Sequence, residues 1–204
     1  MNNQPNVWRN TFQELRGIYA LALHLQLKYF KKILAIYTIY LYEYPIPDFI
    51  MVAMVHQGEE GSPMSLREIS EQTWKHYKSI WGTRSSSSSV AAYEGLLIRH
   101  RASVSATSQA TYDTLFKNKN ILEALESGTK DINQHFRLTA LTNISIWILG
   151  AVYLLIFLKI FEYAPSSIFP VLFVAFILTL WLVLLPFYTL LGYSFWLAKA
   201  GPQK

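Results

Sequence analysis

The sequence predicts an all-α integral membrane protein with a two-helix transmembrane hairpin in its C-terminal third, residues 137–204. Two observations lead to this prediction: two long apolar runs follow residue 138, and the charged residues are concentrated before it. After that point only Lys159, Glu162, Lys199 and Lys204 carry a formal charge. Over the whole chain 15% of residues are charged, below the roughly 25% that is usual in soluble domains.

The first apolar run reads LTALTNISIWILGAVYLLIFLKIF from 138 to 161, and the second reads IFPVLFVAFILTLWLVLLPFYTLLGYSFWLA from 168 to 198. A helix needs about 20 apolar residues to cross the hydrocarbon layer of a bilayer, and both runs are long enough. We predict spans at about 139–161 and 168–190. Pro165 in the short link should end one helix before the next begins, which makes the two helices antiparallel neighbours.

Basic residues flank the two ends of the hairpin and are absent from its link. Lys117, Lys119, Lys130 and Arg137 precede the first span, and Lys199 and Lys204 follow the second. Because positively charged flanks stay in the cytoplasm, both ends of the hairpin are predicted to face the cytoplasm. The compact chain and its lack of cysteine favour a bacterial inner (plasma) membrane.

Lys159 is the one charged residue within the two apolar runs. It is either a charge on a transport pathway or a side chain that reaches the headgroups from the last helical turn, and we favour the second interpretation. Tyr163 at the outer edge and Trp196 at the inner edge fit the interfacial preference of aromatic rings. Pro186 is expected to kink the second helix.

The N-terminal segment, residues 1–56, is predicted to form apolar and amphipathic helices. Lys28, Lys31 and Lys32 form the densest basic cluster of the chain; Lys28 interrupts an apolar stretch that starts at Gly17, and the other two follow it. Such a helix either lies in the headgroup plane with its lysines on anionic lipid, or packs on the protein with a solvated lysine edge. The lysines are therefore candidate lipid-headgroup contacts.

Residues 33–55 are apolar but contain two prolines and two carboxylates near their centre: Glu43, Pro45, Pro47 and Asp48. One span with these residues at its middle would be unfavourable. We predict two short helices broken at 44–47, as a re-entrant element or a surface hairpin. A third and a fourth span remain an alternative for this region.

Residues 57–136 are predicted to be a small helical cytoplasmic region. The glycines of 56–63 indicate a loop, after which Ser65 and Glu68 form a capping box that starts a helix. The five serines at 85–89 indicate a flexible linker. A later helix is predicted over 111–126, with Gly128 as its C-cap.

Three aromatic residues lie on or beside the apolar stripe of the capped helix: Trp74, Tyr77 and Trp81. Aromatic side chains are favoured anchors of protein interfaces, although they also fill small cores. They are our candidate partner contacts, and the partner is a membrane protein, a cytoplasmic protein or a second copy of the chain.

The sequence carries no recognisable catalytic or metal-binding motif. It has no cysteine, and no two of its five histidines have the helical spacing of a metal pair. His56 with Glu59 and Glu60 is the nearest approach to a metal set, and we do not favour it. No nucleophile or phosphate-binding motif is present either. We therefore expect no enzyme activity, no cofactor and no metal.

Nucleic acid is not an expected partner. The net charge is +5, but no run of five basic residues occurs, and an anionic lipid surface explains a basic balance equally well.

These features favour a non-enzymatic membrane protein that works by contact. An accessory component of a bacterial secretion or conjugation machine would have this layout, and so would an entry or superinfection exclusion protein. The alternatives are a small channel or transporter subunit, built by association of the hairpin, and a membrane-tethered enzyme.

Overall fold

The computed structural model describes most of the chain outside its middle: residues 5–40, 46–61, 65, 67–69, 71, 112–113, 116–117, 119 and 121–199. Within these ranges the chain is almost entirely helical and has no strand, which confirms the predicted all-α class. The serine tract 85–89 lies outside the described residues, and so do the candidate partner contacts Trp74, Tyr77 and Trp81.

The long helices form two groups along the sequence. The first group comprises α1 (Pro5–Ile39), α2 (Ile46–Glu60) and α3 (Ile121–Gln134). The hairpin consists of α4 (Phe136–Tyr163) and a second arm, in which α5 (Phe169–Thr179) leads through a π-helical turn (Leu180–Leu184) into α6 (Leu185–Lys199). A single 3-10 turn, Ser166–Ile168, precedes α5.

α1 is one continuous helix of 35 residues that packs along the second arm. Its buried side chains recur every three or four positions, which places them on one stripe: Ile18, Ala22, Leu25, Tyr29, Ile33 and Ile36. The two helices run in opposite directions, because Glu14 pairs with Lys199 at 2.8 Å whereas Gln26 bonds the backbone of Val183. α1 continues as one helix through the polar residues of this segment.

The prediction of two short helices broken at 44–47 is confirmed in part: one helix ends before this point and another begins at Ile46, but the first helix is long. α1 ends at Ile39 and α2 begins at Ile46. Pro47 lies in the first turn of α2, where its missing N–H would have no partner within the helix. α2 then runs back along α1, because the Tyr37 hydroxyl donates to Asp48 and the Tyr29 hydroxyl donates to Glu59.

The prediction of a loop from residue 56 was wrong, because α2 continues to Glu60. The helix ends at Gly61, whose φ of 74° is left-handed and suits glycine. Gly58 has a different role: a Cβ there would overlap the hydroxyl of Tyr29 on α1. The first glycine allows close helix packing, and only the second ends the helix.

Replacing Gly58 with alanine is expected to lower the free energy of unfolding by about 1–2 kcal/mol. The overlap with Tyr29 costs about 1–3 kcal/mol, and the better helix propensity of alanine offsets only part of it. Gly17→Ala is the matched control, because a Cβ at Gly17 has nothing within 4 Å and alanine should stabilise α1. Thermal unfolding in detergent measures both, and equal shifts for the two variants would contradict this packing.

The capping box is confirmed and the predicted end of the later helix is wrong. Glu68 accepts hydrogen bonds from the backbone N–H and the hydroxyl of Ser65, both at 2.7 Å.

α3 begins only at Ile121 and passes through Gly128 to Gln134. Gly128 is buried in the interior of this helix and does not end it.

The second arm loses its regular α-helical geometry just before Pro186. A proline cannot donate a backbone hydrogen bond, and the turn that precedes it is π-helical. Two side-chain contacts join this turn to α1. Gln26 Nε2 donates to the carbonyl of Val183 at 3.0 Å, and Trp181 Nε1 donates to the carbonyl of Tyr37 at 3.3 Å.

Candidate functional site: an apolar band and a buried polar cluster

A band of exposed apolar side chains surrounds the outer part of the hairpin, from Ile144 on α4 to Val183 on the second arm. We call it the apolar band. Large side chains that soluble proteins usually bury are roughly half exposed here, among them Trp147, Leu155, Ile156, Phe173 and Val174. An apolar surface of this extent is unusual in a water-soluble monomer.

The dimensions of the apolar band match those of a bilayer core. Residues 144–163 of α4 extend over about 30 Å at 1.5 Å per residue, which is the usual hydrocarbon thickness. Two helices of the described chain, Phe136–Tyr163 and Ser166–Lys199, are long and apolar enough to cross a membrane.

Beyond Val183 the second arm is equally apolar but covered by protein. Leu190, Leu191, Tyr193 and Trp196 are completely buried, and α1 and α2 pack against α6. The exposed apolar surface therefore ends within the π-helical turn, nearly one helical turn before Pro186. Sequence hydropathy cannot distinguish these two kinds of apolar helix surface.

At the tip of the hairpin, Lys159 is exposed and paired. Its ammonium lies 2.6 Å from Glu162 and about 6.0 Å from the centre of the Tyr163 ring. Tyr163 itself is 80% exposed. A lysine at the helix end with a carboxylate one turn away agrees with a side chain that reaches the headgroups.

The other end of the hairpin contains a buried polar cluster centred on Asp113, whose side chain is 1% exposed. Its carboxylate accepts hydrogen bonds from Trp196 Nε1 at 2.9 Å and from Ser127 Oγ at 2.8 Å. Lys119 and Lys117 lie 2.7 and 3.1 Å away. One carboxylate thus joins the described residues 113, 117 and 119 to α3 and α6.

The surroundings of Asp113 keep it ionised. Burial alone would raise its pKa, but the hydrogen bonds from Lys119, Trp196 and Ser127 outweigh burial and hold the pKa below its ordinary value of 3.8. Asp131 on α3 shows the opposite effect, because burial and the charge of Asp113 raise its pKa. The cluster is organised around the ionised carboxylate of Asp113.

His56 on α2 links this end of α6 to the surface. Its Nδ1 lies 2.8 Å from the Tyr193 hydroxyl, and its Nε2 lies 3.1 Å from the Glu60 carboxylate. Because a carboxylate only accepts, Nε2 carries the proton of the neutral ring and Nδ1 accepts from Tyr193. The Phe116 ring packs on the imidazole with a centroid distance of 4.0 Å.

The assignment of Trp196 to the membrane edge is therefore wrong. Its indole is fully buried, and its N–H donates to Asp113. An amphipathic ring near a helix end suits a lipid interface and a buried hydrogen bond equally well. The sequence offers no signal for the choice, since Asp113 lies 83 residues earlier in the chain.

Acidification is expected to destabilise the protein below about pH 6.5. Burial lowers the pKa of His56 below its ordinary value of 6.5, and Glu60 offsets only part of this effect. Between the pKa of His56 in the folded protein and its pKa in the unfolded chain, the unfolded chain binds more protons. The free energy of unfolding therefore has its full His56 contribution above about pH 6.5 and loses it as the pH drops. The melting temperature in detergent at about pH 7.5 and 5.5 measures this effect.

In His56→Gln this pH dependence should be weaker, even if the variant is less stable at both pH values. His24→Gln, at an exposed position of α1, is the control and should keep the dependence of the parent protein. An unchanged pH dependence in His56→Gln would show that another group titrates.

The predicted lipid contacts Lys28, Lys31 and Lys32 are all exposed on α1. Lys28 pairs with Glu59 at 2.7 Å, and this contact lowers the pKa of Glu59. Among the described residues, no group of three or more His, Cys, Asp or Glu side chains is arranged to hold a metal ion. No family model, curated protein or solved structure matches the chain.

Proposed function

We propose that the chain is a non-enzymatic integral membrane protein that acts by binding a partner protein. In this proposal the hairpin crosses the bilayer, and the remaining helices form a rigid body at its cytoplasmic end. The observation that carries it is the apolar band, whose length of about 30 Å equals the hydrocarbon thickness. Burying such a surface in lipid removes the large cost of its exposure to water.

The charges of the described residues support an orientation with both ends in the cytoplasm. Lys117, Lys119 and Lys130 precede α4, Arg137 lies in its first turn, and Lys199 ends α6. At the opposite end the described link has no basic residue, and the nearest one is the lysine paired with Glu162. This distribution follows the positive-inside rule.

The polar groups at the cytoplasmic end support a contact role. The carboxylate of Asp113 accepts from four side chains, and both ring nitrogens of His56 have partners. Groups that are fully engaged with one another hold helices together, whereas a catalytic site needs groups directed at a substrate. We therefore assign both residues to positioning α2, α6 and the described residues 113, 117 and 119.

For the biological setting, we propose the bacterial inner membrane and a partner within an envelope machine. A secretion or conjugation system would supply such a partner, which the protein either assists or, as an exclusion protein, blocks. These settings differ in the identity of the partner and share the mode of action.

The proposal is tested by affinity purification of the full chain in mild detergent, with mass spectrometry of the proteins that remain bound. We expect a specific membrane or cytoplasmic protein, or a second copy of the chain. The triple variant Trp74→Ala, Tyr77→Ala, Trp81→Ala should lose it and still reside in the membrane. The control replaces three polar neighbours, Glu71, Lys75 and Lys78, with alanine and should retain it.

Equal retention by both triple variants would reject the three aromatic residues as contacts. Ion conductance of the purified protein in planar bilayers, together with the absence of any bound protein, would reject the contact function in favour of a channel.

A further inference from the structure

α1 presents a stripe of apolar side chains on the face opposite its packed stripe. Leu23, Leu27 and Phe30 are 52%, 68% and 42% exposed. Their spacing of four and three residues places them along one side of the helix. Together they form an apolar patch of the kind that contacts lipid or protein.

A basic stripe runs beside this apolar stripe. His24, Lys28 and Lys31 each follow one of the apolar residues by one position, which is a rotation of about 100° around the helix. Lys32 lies about 100° further round the helix, beside Tyr29 of the packed stripe. A helix with apolar and basic stripes side by side has the pattern of helices that lie at a lipid–water interface.

The contacts of α1 place these stripes at one end of the apolar band. Gln26 hydrogen-bonds to Val183, and the carbonyl of Tyr37 accepts from Trp181. All three lysines lie between these two contacts in the sequence. Val183 is still 39% exposed and ends the apolar band. The basic stripe is therefore at the level where the hairpin would emerge from the hydrocarbon core.

Lys31 and Lys32 carry the available charge of this surface. Lys28 is neutralised by Glu59 at 2.7 Å, whereas Lys31 and Lys32 are exposed, and Lys32 lies over the Tyr29 ring at 6.0 Å from its centre. An ammonium group at an anionic membrane surface strengthens binding by roughly fivefold. Two such groups predict a clear preference for anionic over zwitterionic lipid.

We propose that this face of α1 binds the headgroups of anionic phospholipids in the cytoplasmic leaflet. Lys31 and Lys32 contact the lipid phosphates, while Leu23, Leu27 and Phe30 enter the region of the first acyl carbons. The proposal rests on the insertion of the hairpin proposed above. It adds the class of lipid and the helix that recognises it.

The test uses the absence of cysteine from the chain. A single cysteine at Leu27 carries an environment-sensitive fluorophore, and the full-length protein is reconstituted in phosphatidylcholine bilayers. Phosphatidylglycerol or phosphatidylcholine, each brominated near the headgroup end of its acyl chains, is then added to quench the fluorophore. The ratio of the two apparent association constants reports lipid selectivity next to α1.

We expect phosphatidylglycerol to bind between about five- and thirtyfold more tightly at this position. In the double variant Lys31→Gln, Lys32→Gln the ratio should fall close to one. The control Arg67→Gln, Lys130→Gln removes the same charge from positions outside α1 and should leave the ratio unchanged.

A second label at Leu155 separates this proposal from the proposed function. Both lipids should quench it, with little selectivity, because Leu155 lies in the middle of the apolar band. If Leu155 is quenched but the two lipids have equal association constants at Leu27, the proposal for α1 alone is overturned. The same holds if Leu155 is quenched and Leu27 is not. The absence of quenching at Leu155 overturns the insertion of the hairpin and this proposal with it.

Discussion

Replacing Asp113 with asparagine is expected to lower the free energy of unfolding by about 3 kcal/mol. The variant removes the negative charge that Lys117 and Lys119 share, and it turns one acceptor oxygen into a donor that faces other donors. Breaking a buried ion pair usually costs about 3–5 kcal/mol. The lower value applies here because the two lysine side chains are 30% exposed and can regain water.

Asp131→Asn is the matched control for this prediction. Burial and the neighbouring charge of Asp113 raise the pKa of Asp131, so the folded state gains little from its ionised form. The same substitution there should leave the stability unchanged or increase it. Thermal unfolding in detergent, followed by tryptophan fluorescence, compares the two. A similar loss of stability in both variants would contradict the assigned role of Asp113.

Introducing arginine at Leu155 and Phe173 is expected to have the second large effect, on membrane insertion. Both side chains are more than half exposed in the middle of the apolar band. Each arginine near the centre of a span raises the apparent insertion free energy by about 2.5–3.5 kcal/mol, so the pair should raise it by roughly 6 kcal/mol. The fraction of full-length protein that resists alkaline extraction from membranes should fall sharply.

Two controls separate lipid exposure from a general effect of the substitution. Alanine at the same two positions removes bulk without adding charge and should largely preserve the membrane-bound fraction. Gln134→Arg adds a charge at an exposed end of α3 and should have no effect. If the apolar band faced water, the arginine pair would be almost neutral or would improve solubility.

The hairpin and the break before α2 could be predicted because local sequence decides them. Two runs of more than 20 apolar residues have few alternatives to long helices, and the prolines near residue 46 cannot continue a helix. The capping box of Ser65 and Glu68 is also local, since both partners lie within one turn. Patterns that span a few residues carried these predictions.

The buried polar cluster could not be predicted, because its members are distant in sequence. The hydrogen bond from Tyr193 to His56 joins residues 137 positions apart, and nothing near either residue indicates the other. The prediction of a loop at Gly58 is wrong for the same reason. A glycine is needed there because the Tyr29 side chain of another helix packs directly against it. Tertiary contacts override the local preference of glycine for turns and helix ends.

Insertion of the hairpin is tested most directly by cysteine accessibility in native membranes, since the chain contains no cysteine. Single cysteines replace Ser166 in the link, Gln134 at the end of α3 and Leu155 in the apolar band, and a membrane-impermeant maleimide is applied. We predict labelling at Ser166 from outside, labelling at Gln134 only after the membrane is opened, and no labelling at Leu155 under either condition. Rapid labelling at Leu155, equal to that at Gln134, would show that the apolar band faces water and would contradict the account.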